Sequence, residues 1–378
     1  MAKFRNIGVL TSGGDAPGMN ALIRSVARAA LEQGVEVYGV YEGFQGLMDD
    51  LPADPKSHFP GSLIKLDAYA VTNIIDKGAT MLKSARAPEF KTEEGMAKAI
   101  ATCRRHNIDG IVAIGGDGTF RGATDLTNRG IPCIGLPATI DNDITATDES
   151  IGFDTALNTA VELIDKLRDT CESHARCNVV ELMGRNAGYI ALEAGIAAGA
   201  SAILTCECPY SEEEIFENII NAKNQGKRSF IVVIAEGVKF KKEEEGIKNY
   251  CEDFAKRLEA ATGVETKFCR PAHILRGGIP TPRDRVLASR MGYEAVRLLL
   301  EGKSKLVVCK QKSDIISLDI NYALILDRMY KNNLKPGDLD AFTAEEQAEM
   351  RAFCAAKAAE FAEMYKVANA IAAYPESE

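Results

Sequence analysis

Histidine is scarce in this chain, with four in 378 residues, and the ten cysteines stand singly except for Cys206 and Cys208. No CxxC pair occurs, so nothing in the spacing supports a zinc-like cluster. Isolated cysteines in a chain this long read as free thiols in a reducing compartment, which sets the expected location as cytoplasmic. No run of 18 apolar residues exists, which excludes a membrane-spanning helix. The opening "MAKFRNIGVL" enters a strand-like segment directly and lacks the apolar stretch and cleavage site of a signal peptide. Positive charge is in deficit: 45 Lys and Arg stand against 54 Asp and Glu, a net charge of -9. That balance argues against nonspecific nucleic-acid binding. It leaves room for small anionic ligands, because local arginines and helix N-termini decide their binding. Neither GxGxxG nor GxxxxGK[ST] is present, so the dinucleotide fingerprint and the Walker loop do not apply.

Apolar residues make up 46% of the chain, enough for a sizeable core, and the length suggests two or three domains. "NIGVLTSG" (6–13) reads as a buried strand running into glycine, followed by a helix over 18–34 and a strand over 35–43. This order of strand, glycine turn, helix and strand marks a parallel α/β sheet. It repeats as a helix over 96–107, a strand over 108–116, a helix over 119–130 and a strand over 131–138. A helix over 155–170, a strand over 177–184 and a small-residue helix over 187–200 follow. Residues 201–206, 211–226 and 229–237 continue the alternation. The charge run over 240–249 reads as a solvated loop or helix start, and 48–61 as a surface loop. A second sheet domain is expected to begin near Gly152, with the chain returning to the first after "HILRGG" (273–278). Alanine-rich residues 343–373 predict a helix opened by a Thr343–Glu346 capping box. Its apolar stripe is Met350, Phe353, Phe361, Met364, Ala368 and Ile371.

Three loops carry the chemistry, each after a predicted strand. In "TSGGDAPGMN" (11–20), Gly13, Gly14 and Gly18 let backbone amides approach an anion at a helix N-terminus. Taken alone, such glycines also fit an ordinary tight turn. In "GGDGT" (115–119), glycines surround one carboxylate, Asp117, which suits a magnesium-bound nucleotide. In "GLPATIDND" (135–143), Asp141 and Asp143 stand beside an apolar run. A solvated turn is the bland reading. Three such loops on parallel units lie along one C-terminal sheet edge, however, where open α/β sheets bind ligands. One acid can then accept a hydroxyl proton while the other orients magnesium or the hydroxyl. Arg185 in "ELMGRNAG" and Arg276 in "HILRGG" follow short apolar segments, and Arg176, Arg168 and Arg86 are further candidates for phosphate. Glu236 ends the strand "SFIVVIAE", where it could accept sugar hydroxyl hydrogens, and His273 is a candidate phosphate or sugar contact.

Together, "GVLTSGGDAPGMN", "SARAPEF", "AIGGDGTF", "LPATIDNDI", "VVELMGRNAGYIAL" and "HILRGGIPTPRDRVLASRMG" resemble the 6-phosphofructokinase family, from about residue 5 to about 325. The resemblance implies an α/β fold of two three-layer domains with mainly parallel sheets, the active site in the interdomain cleft, and a helical C-terminal extension. The expected division is 1–152 plus about 275–325 for the phosphoryl-donor domain, 153–274 plus part of 326–342 for the sugar-phosphate domain, and 343–378 for the extension.

The implied reaction is phosphoryl transfer from Mg-ATP to O1 of fructose 6-phosphate. By resemblance, Asp141 is the catalytic base. Thr139 and Asp143 are its neighbours, and Arg185 also stands in the catalytic set. Gly14, Arg86, Gly116, Asp117, Gly118 and Thr119 form the donor site, with Asp117 and Asp143 placing magnesium. Met183, Gly184, Arg185, Glu236, His273 and Arg276 form the sugar-phosphate site. Arg176 and Lys267 match basic positions that the family donates from a neighbouring subunit, so a homodimer or homotetramer with shared active sites is expected. Lysine at 267 replaces the usual arginine and loses its planar fork. Arg24, Arg28, Lys227 and Arg228 match effector-site positions, while Ala68 and Ser201 replace an arginine and a glutamate, so altered regulation is expected. Gly118 is the ATP-type residue and Ala138 is close in size to the ATP-type glycine. Pyrophosphate is the alternative donor, and a noncatalytic nucleotide-binding regulatory subunit is the alternative class.

Overall fold

The structure is a computed structural model describing residues 4–374. Among the described residues, the first compact unit comprises 4–140, 144–155 and 276–354, and the second comprises 141–143, 156–275 and 355–374.

The first unit opens with β1 (Asn6–Thr11), α1 (Met19–Glu32), β2 (Glu36–Val40), α2 (Phe44–Asp49) and β3 (Leu63–Lys65). It continues through α3 (Glu93–Arg105), β4 (Ile108–Gly115), α4 (Asp117–Asn128) and β5 (Cys133–Pro137). The helix α5 (Phe153–His174) starts in the first unit and continues into the second, which contains β6 (Cys177–Leu182), α6 (Tyr189–Ala197), β7 (Ala202–Leu204) and α7 (Glu212–Asn224). It continues with β8 (Phe230–Ala235), α8 (Glu236–Glu244), α9 (Tyr250–Thr262) and β9 (Thr266–Cys269). The chain then supplies α10 (Pro282–Leu300), β10 (Leu306–Gln311), β11 (Asp314–Asp319), α11 (Ile320–Tyr330) and α12 (Ala344–Ala372).

In the first unit seven strands run in the order β11-β10-β5-β4-β1-β2-β3. The pairings from β10 through β2 are parallel, and only the edge strands β11 and β3 are antiparallel. The near-continuous burial of β1, β4 and β5 is what a sheet covered on both faces requires. From β1 the chain first builds β2 on one side and then returns to build β4 on the other. The C-terminal ends of β1 and β4 therefore flank a topological switch point. Phe120 on α4 packs over Gly135 of β5, where a Cβ would stand 2.8 Å from the ring. Phe44 stacks on Phe90 in the same core, with centroids 4.2 Å apart.

The second unit has four parallel strands, β7-β8-β6-β9. Its core gathers Val179, Phe230, Val232, Tyr250, Phe254 and Leu258.

Several expectations change on contact with the structure. Residues 326–342, expected in part with the second domain, lie in the first unit, where Leu326 is buried in the core and Phe342 packs against it. The 343–373 extension is helical as expected, as α12: Met350 and Cys354 are buried among the first unit's core residues, and Phe361 stands edge-on to Tyr189 at 5.1 Å. The buried seam of α12 runs through Met350, Cys354, Phe361, Tyr365 and Ala368. Ile371 falls off that seam and is 65% exposed. Of the 240–249 run, read as a loop or a helix start, residues 240–244 are helical as the end of α8, with Lys239–Glu243 and Lys242–Glu245 pairs along the turn. The 48–61 stretch is mostly exposed, but it begins inside α2 and pairs Asp54 with Phe59.

The capping box is present. Glu346 N–H donates to Thr343 Oγ1 (3.2 Å), while Thr343 N–H donates to Glu346 Oε2 (2.8 Å). Thr343→Ala should lower the unfolding free energy by about 1 kcal/mol, the usual cost of losing an N-cap hydroxyl. Urea unfolding of the variant beside the parent checks this, and an unchanged midpoint would show that packing alone fixes the start of α12.

Candidate active site

Three loops leave the C-terminal ends of the adjacent parallel strands β1, β4 and β5, and the backbone ties them together. Ser12 N–H donates to Ile114 O (3.0 Å), and Thr119 Oγ1 donates to Ser12 O (3.0 Å). Ala138 N–H donates to Gly115 O (3.0 Å). Ser84 Oγ donates to Gly13 O (2.7 Å), which brings the "SAR" segment and exposed Arg86 to the first loop.

The glycines of these loops divide by cause. Gly18 has φ +109°, and a Cβ there would lie 2.6 Å from Ile151 Cγ2, so backbone conformation and packing both demand glycine. Gly116 and Gly118 have no such demand, since a Cβ at either meets nothing within 4 Å. Open space thus flanks Asp117 at the first position of α4, where a helix N-terminus favours an anion. Asp117 is held by Arg121, at 2.5 Å from Nη2. Gly14 faces Arg276, whose Nη1 occupies the place a Cβ would take. Arg276 Nη1 donates a long bond to Asp15 O (3.4 Å), and its buried Nε has no hydrogen-bond partner.

The third loop is fastened at its neck. Ala138 forms a bridge with Ile151, Ile151 N–H donates to Pro137 O (3.1 Å), and Ser150 Oγ donates to Thr139 O (2.6 Å). Beyond the neck, Thr145 donates to Asp327 from both its N–H and its hydroxyl. Buried Glu149 pairs with Arg283 (2.6 Å) and with Lys310. At the tip, Asn142 takes φ +51°, turning the chain between Asp141 and Asp143. Asp141 is 8% exposed and Asp143 half-buried.

In the second unit, Glu236 is the first residue of α8 rather than the last of a strand. Its Oε1 accepts from Gly184 N–H (3.2 Å) and Arg185 N–H (2.6 Å). Those bonds hold Arg185 in the left-handed region at φ +57°, which is unfavourable for a side chain of this size, and Arg185 stays exposed. Met183 is half-buried beside them. Arg176 (2.8 Å) and Lys267 (2.9 Å) share Glu265, and together they hold its carboxyl below the usual range. His273 is exposed on a short 3-10 turn.

Lys227 and Arg228 line a cavity of about 240 Å³ with Lys223, Phe230 and Val264. Burial, with Arg168 nearby, pushes Lys227 below the usual lysine range, and its Nζ sits 4.8 Å from the Tyr374 ring centroid. On α1, Arg24 is half-buried and Arg28 exposed.

Asp284, Arg283, Glu149 and Asp327 escaped the sequence reading. Of these only Asp284 left a local trace, because "TPRD" (281–284) sets a Thr cap, a Pro at the first helical position and an acid in the first turn.

Among the described residues no three His, Cys, Asp or Glu side chains gather into a metal cage. Magnesium bound with phosphate needs only one or two carboxylates. Asp117, beside open space at a helix N-terminus, fits that role.

A family profile described as phosphofructokinase matches residues 6–299. The ATP-dependent 6-phosphofructokinase of Bacillus licheniformis is 49% identical over 317 residues, covering 84% of this chain and 93% of that protein. The ATP-dependent 6-phosphofructokinase of Clostridium botulinum is 46% identical over 331 residues, covering 88% and 97%. Among solved structures, phosphofructokinase from Saccharomyces cerevisiae aligns with a TM-score of 0.77 at 30% identity over 89% of this chain, which spans 47% of the yeast chain. The Pichia pastoris enzyme in the T-state gives 0.79 at 29% identity over 98% of this chain and 39% of its own. A pyrophosphate-dependent phosphofructokinase from Marinobacter aquaeolei shares the fold (TM-score 0.70) at 21% identity, over 84% of this chain and 83% of its own.

Proposed function

The chain belongs to the phosphofructokinase family, and we propose that it transfers the γ-phosphoryl group of Mg-ATP to O1 of fructose 6-phosphate, with Asp141 as general base. The observation that carries this reading is the set of three tied loops at the β1, β4 and β5 ends. They combine open space beside Asp117 with a fastened loop presenting Asp141 and Asp143.

The O1–phosphorus bond forms as the bond between the γ-phosphorus and the β–γ bridging oxygen breaks. The hydroxyl proton passes to Asp141, and ADP and fructose 1,6-bisphosphate leave. Phosphoryl transfer is loose, so alignment and charge stabilisation carry most of the acceleration. Magnesium, held by Asp117 and Asp143, would supply neutralisation of the phosphate charge. Gly14, Arg86, Gly116, Gly118 and Thr119 would line the donor. Thr139, Met183, Gly184, Arg185, Glu236, His273 and Arg276 would bind the sugar phosphate. Arg176 and Lys267 would serve a neighbouring subunit's site in an oligomer, exchanging Glu265 for phosphate. Arg24, Arg28, Lys227 and Arg228 would meet an effector.

ATP is favoured over pyrophosphate by Gly118 and by the ATP-dependent relatives. A Cβ at Gly118 would meet nothing within 4 Å, so the loop keeps open space beside Asp117. Assays of fructose 6-phosphate phosphorylation with ATP and pyrophosphate in parallel test the reading. The expected result is turnover with ATP and little with pyrophosphate; a pyrophosphate rate far above the ATP rate would reverse the donor assignment.

A further inference from the structure

Asp284 is wholly buried at the third position of α10: the helix N-terminus favours its charge, and the loss of water opposes it. Its Oδ1 accepts from Gly152 N–H (2.8 Å), and its Oδ2 accepts from Thr155 N–H (2.9 Å) and Thr155 Oγ1 (2.5 Å). The exchange is reciprocal: Thr281, the cap of α10, donates from Oγ1 to Asp154 (2.6 Å) and from N–H to Thr155 Oγ1 (3.0 Å). Two helix N-termini, those of α5 and α10, therefore cap each other through one buried carboxylate.

The position of this knot is what matters. Gly152 and Thr155 stand at the exit of the fastened loop that carries Thr139, Asp141 and Asp143. Arg276 lies eight residues before Asp284 on the approach to α10. The first loop presses on the same point: a Cβ on Gly152 would lie 2.7 Å from Ala16 Cβ, and one on Gly18 would lie 2.6 Å from Ile151. Three ligand-bearing segments thus converge on a single side chain. Burial pushes the Asp284 carboxyl up to about 6, with Asp154 adding to the shift. Three accepted bonds offset that burial, and each of them ends on Gly152 or Thr155.

We infer that Asp284 is a positioning residue for phosphoryl transfer: by gripping Gly152 and Thr155 it fixes the exit of the 139–152 loop, and with it the placement of the acceptor hydroxyl against the donor. This rests on the proposed role of that loop.

The test compares Asp284→Asn and Thr155→Val in the full chain. Asparagine keeps the shape but offers one acceptor oxygen for three donors. With ATP and fructose 6-phosphate, Asp284→Asn should lower kcat by about 10- to 100-fold, since a misplacement near 1 Å can cost that much. KM for ATP should stay within about threefold, because the donor loops keep their own ties. Thr155→Val should give a smaller loss of kcat, and the double variant should be no worse than Asp284→Asn alone. A parent-like kcat in folded Asp284→Asn, even with a lowered unfolding midpoint, would overturn the inference and leave a purely structural cap. If that variant does not fold, Thr155→Val decides: a lowered kcat at parent stability supports positioning, and a parent kcat overturns it. Amide exchange over 139–152, measured without substrate, separates this inference from the functional reading. Faster exchange in Asp284→Asn beside a parent chain lacking kinase activity would sink the functional reading and keep the anchor. Unchanged exchange would sink the anchor.

Discussion

Asp141→Ala is expected to lower kcat for fructose 6-phosphate phosphorylation by more than ~100-fold, within the range for removal of a general base. That corresponds to about 2.7 kcal/mol of transition-state stabilisation. The loop around it should survive the change. Its neck is closed by Ser150 on Thr139, its far side is held by Asp327 on Thr145, and Asn142 makes the turn at the tip. The loss should therefore appear in the chemical step, and an unfolding midpoint measured beside the kinetics checks that the fold is kept. KM values should move little, because alanine removes a contact to the reacting hydroxyl and leaves the phosphate-binding groups in place. A near-normal kcat in a steady-state assay would remove Asp141 from the base role.

Arg276→Ala is expected to act on the other kinetic parameter. The arginine presses against Gly14, makes one long bond to Asp15 O, and keeps a buried Nε without a partner, so its guanidinium is poorly satisfied within the protein. A phosphate oxygen would satisfy it. Hydrogen bonds to charged groups are worth about 1.5–3 kcal/mol, which sets a rise in KM for fructose 6-phosphate of roughly 10- to 100-fold. The contact is made in ground state and transition state alike, so kcat should change much less. Saturation curves in fructose 6-phosphate at fixed ATP check this. An unchanged KM with a collapsed kcat would show that Arg276 acts only on the transition state.

The repeating frame of β1, α1, β4, α4 and β5 was legible because apolar strands end at glycines and caps that have a physical reason. Gly18 shows it well, since its φ and its distance from Ile151 leave no room for another residue. Thr343 and Glu346 were legible because a capping box is local. The unread parts depend on distant partners. Asp284 meets Thr155 and Asp327 meets Thr145 across spans of 129 and 182 residues, which no local pattern encodes. The edge strand β11 and the helix α11 went unread because their burial comes from the first unit's core rather than from strong periodicity of their own. Glu236 is a candidate whose local setting the sequence pattern misjudged. It opens α8 and holds the Gly184–Arg185 backbone, which a strand-end acid would not be expected to do.

The central claim is that Asp141 takes the proton of the hydroxyl that receives the phosphoryl group from ATP. Single-turnover transfer from γ-labelled ATP to fructose 6-phosphate, by the parent chain and Asp141→Ala at saturating substrate, tests it most directly. The account predicts rapid formation of a bisphosphorylated sugar by the parent and a transfer rate slower by more than ~100-fold in the variant. Transfer at a parent-like rate by Asp141→Ala would contradict it.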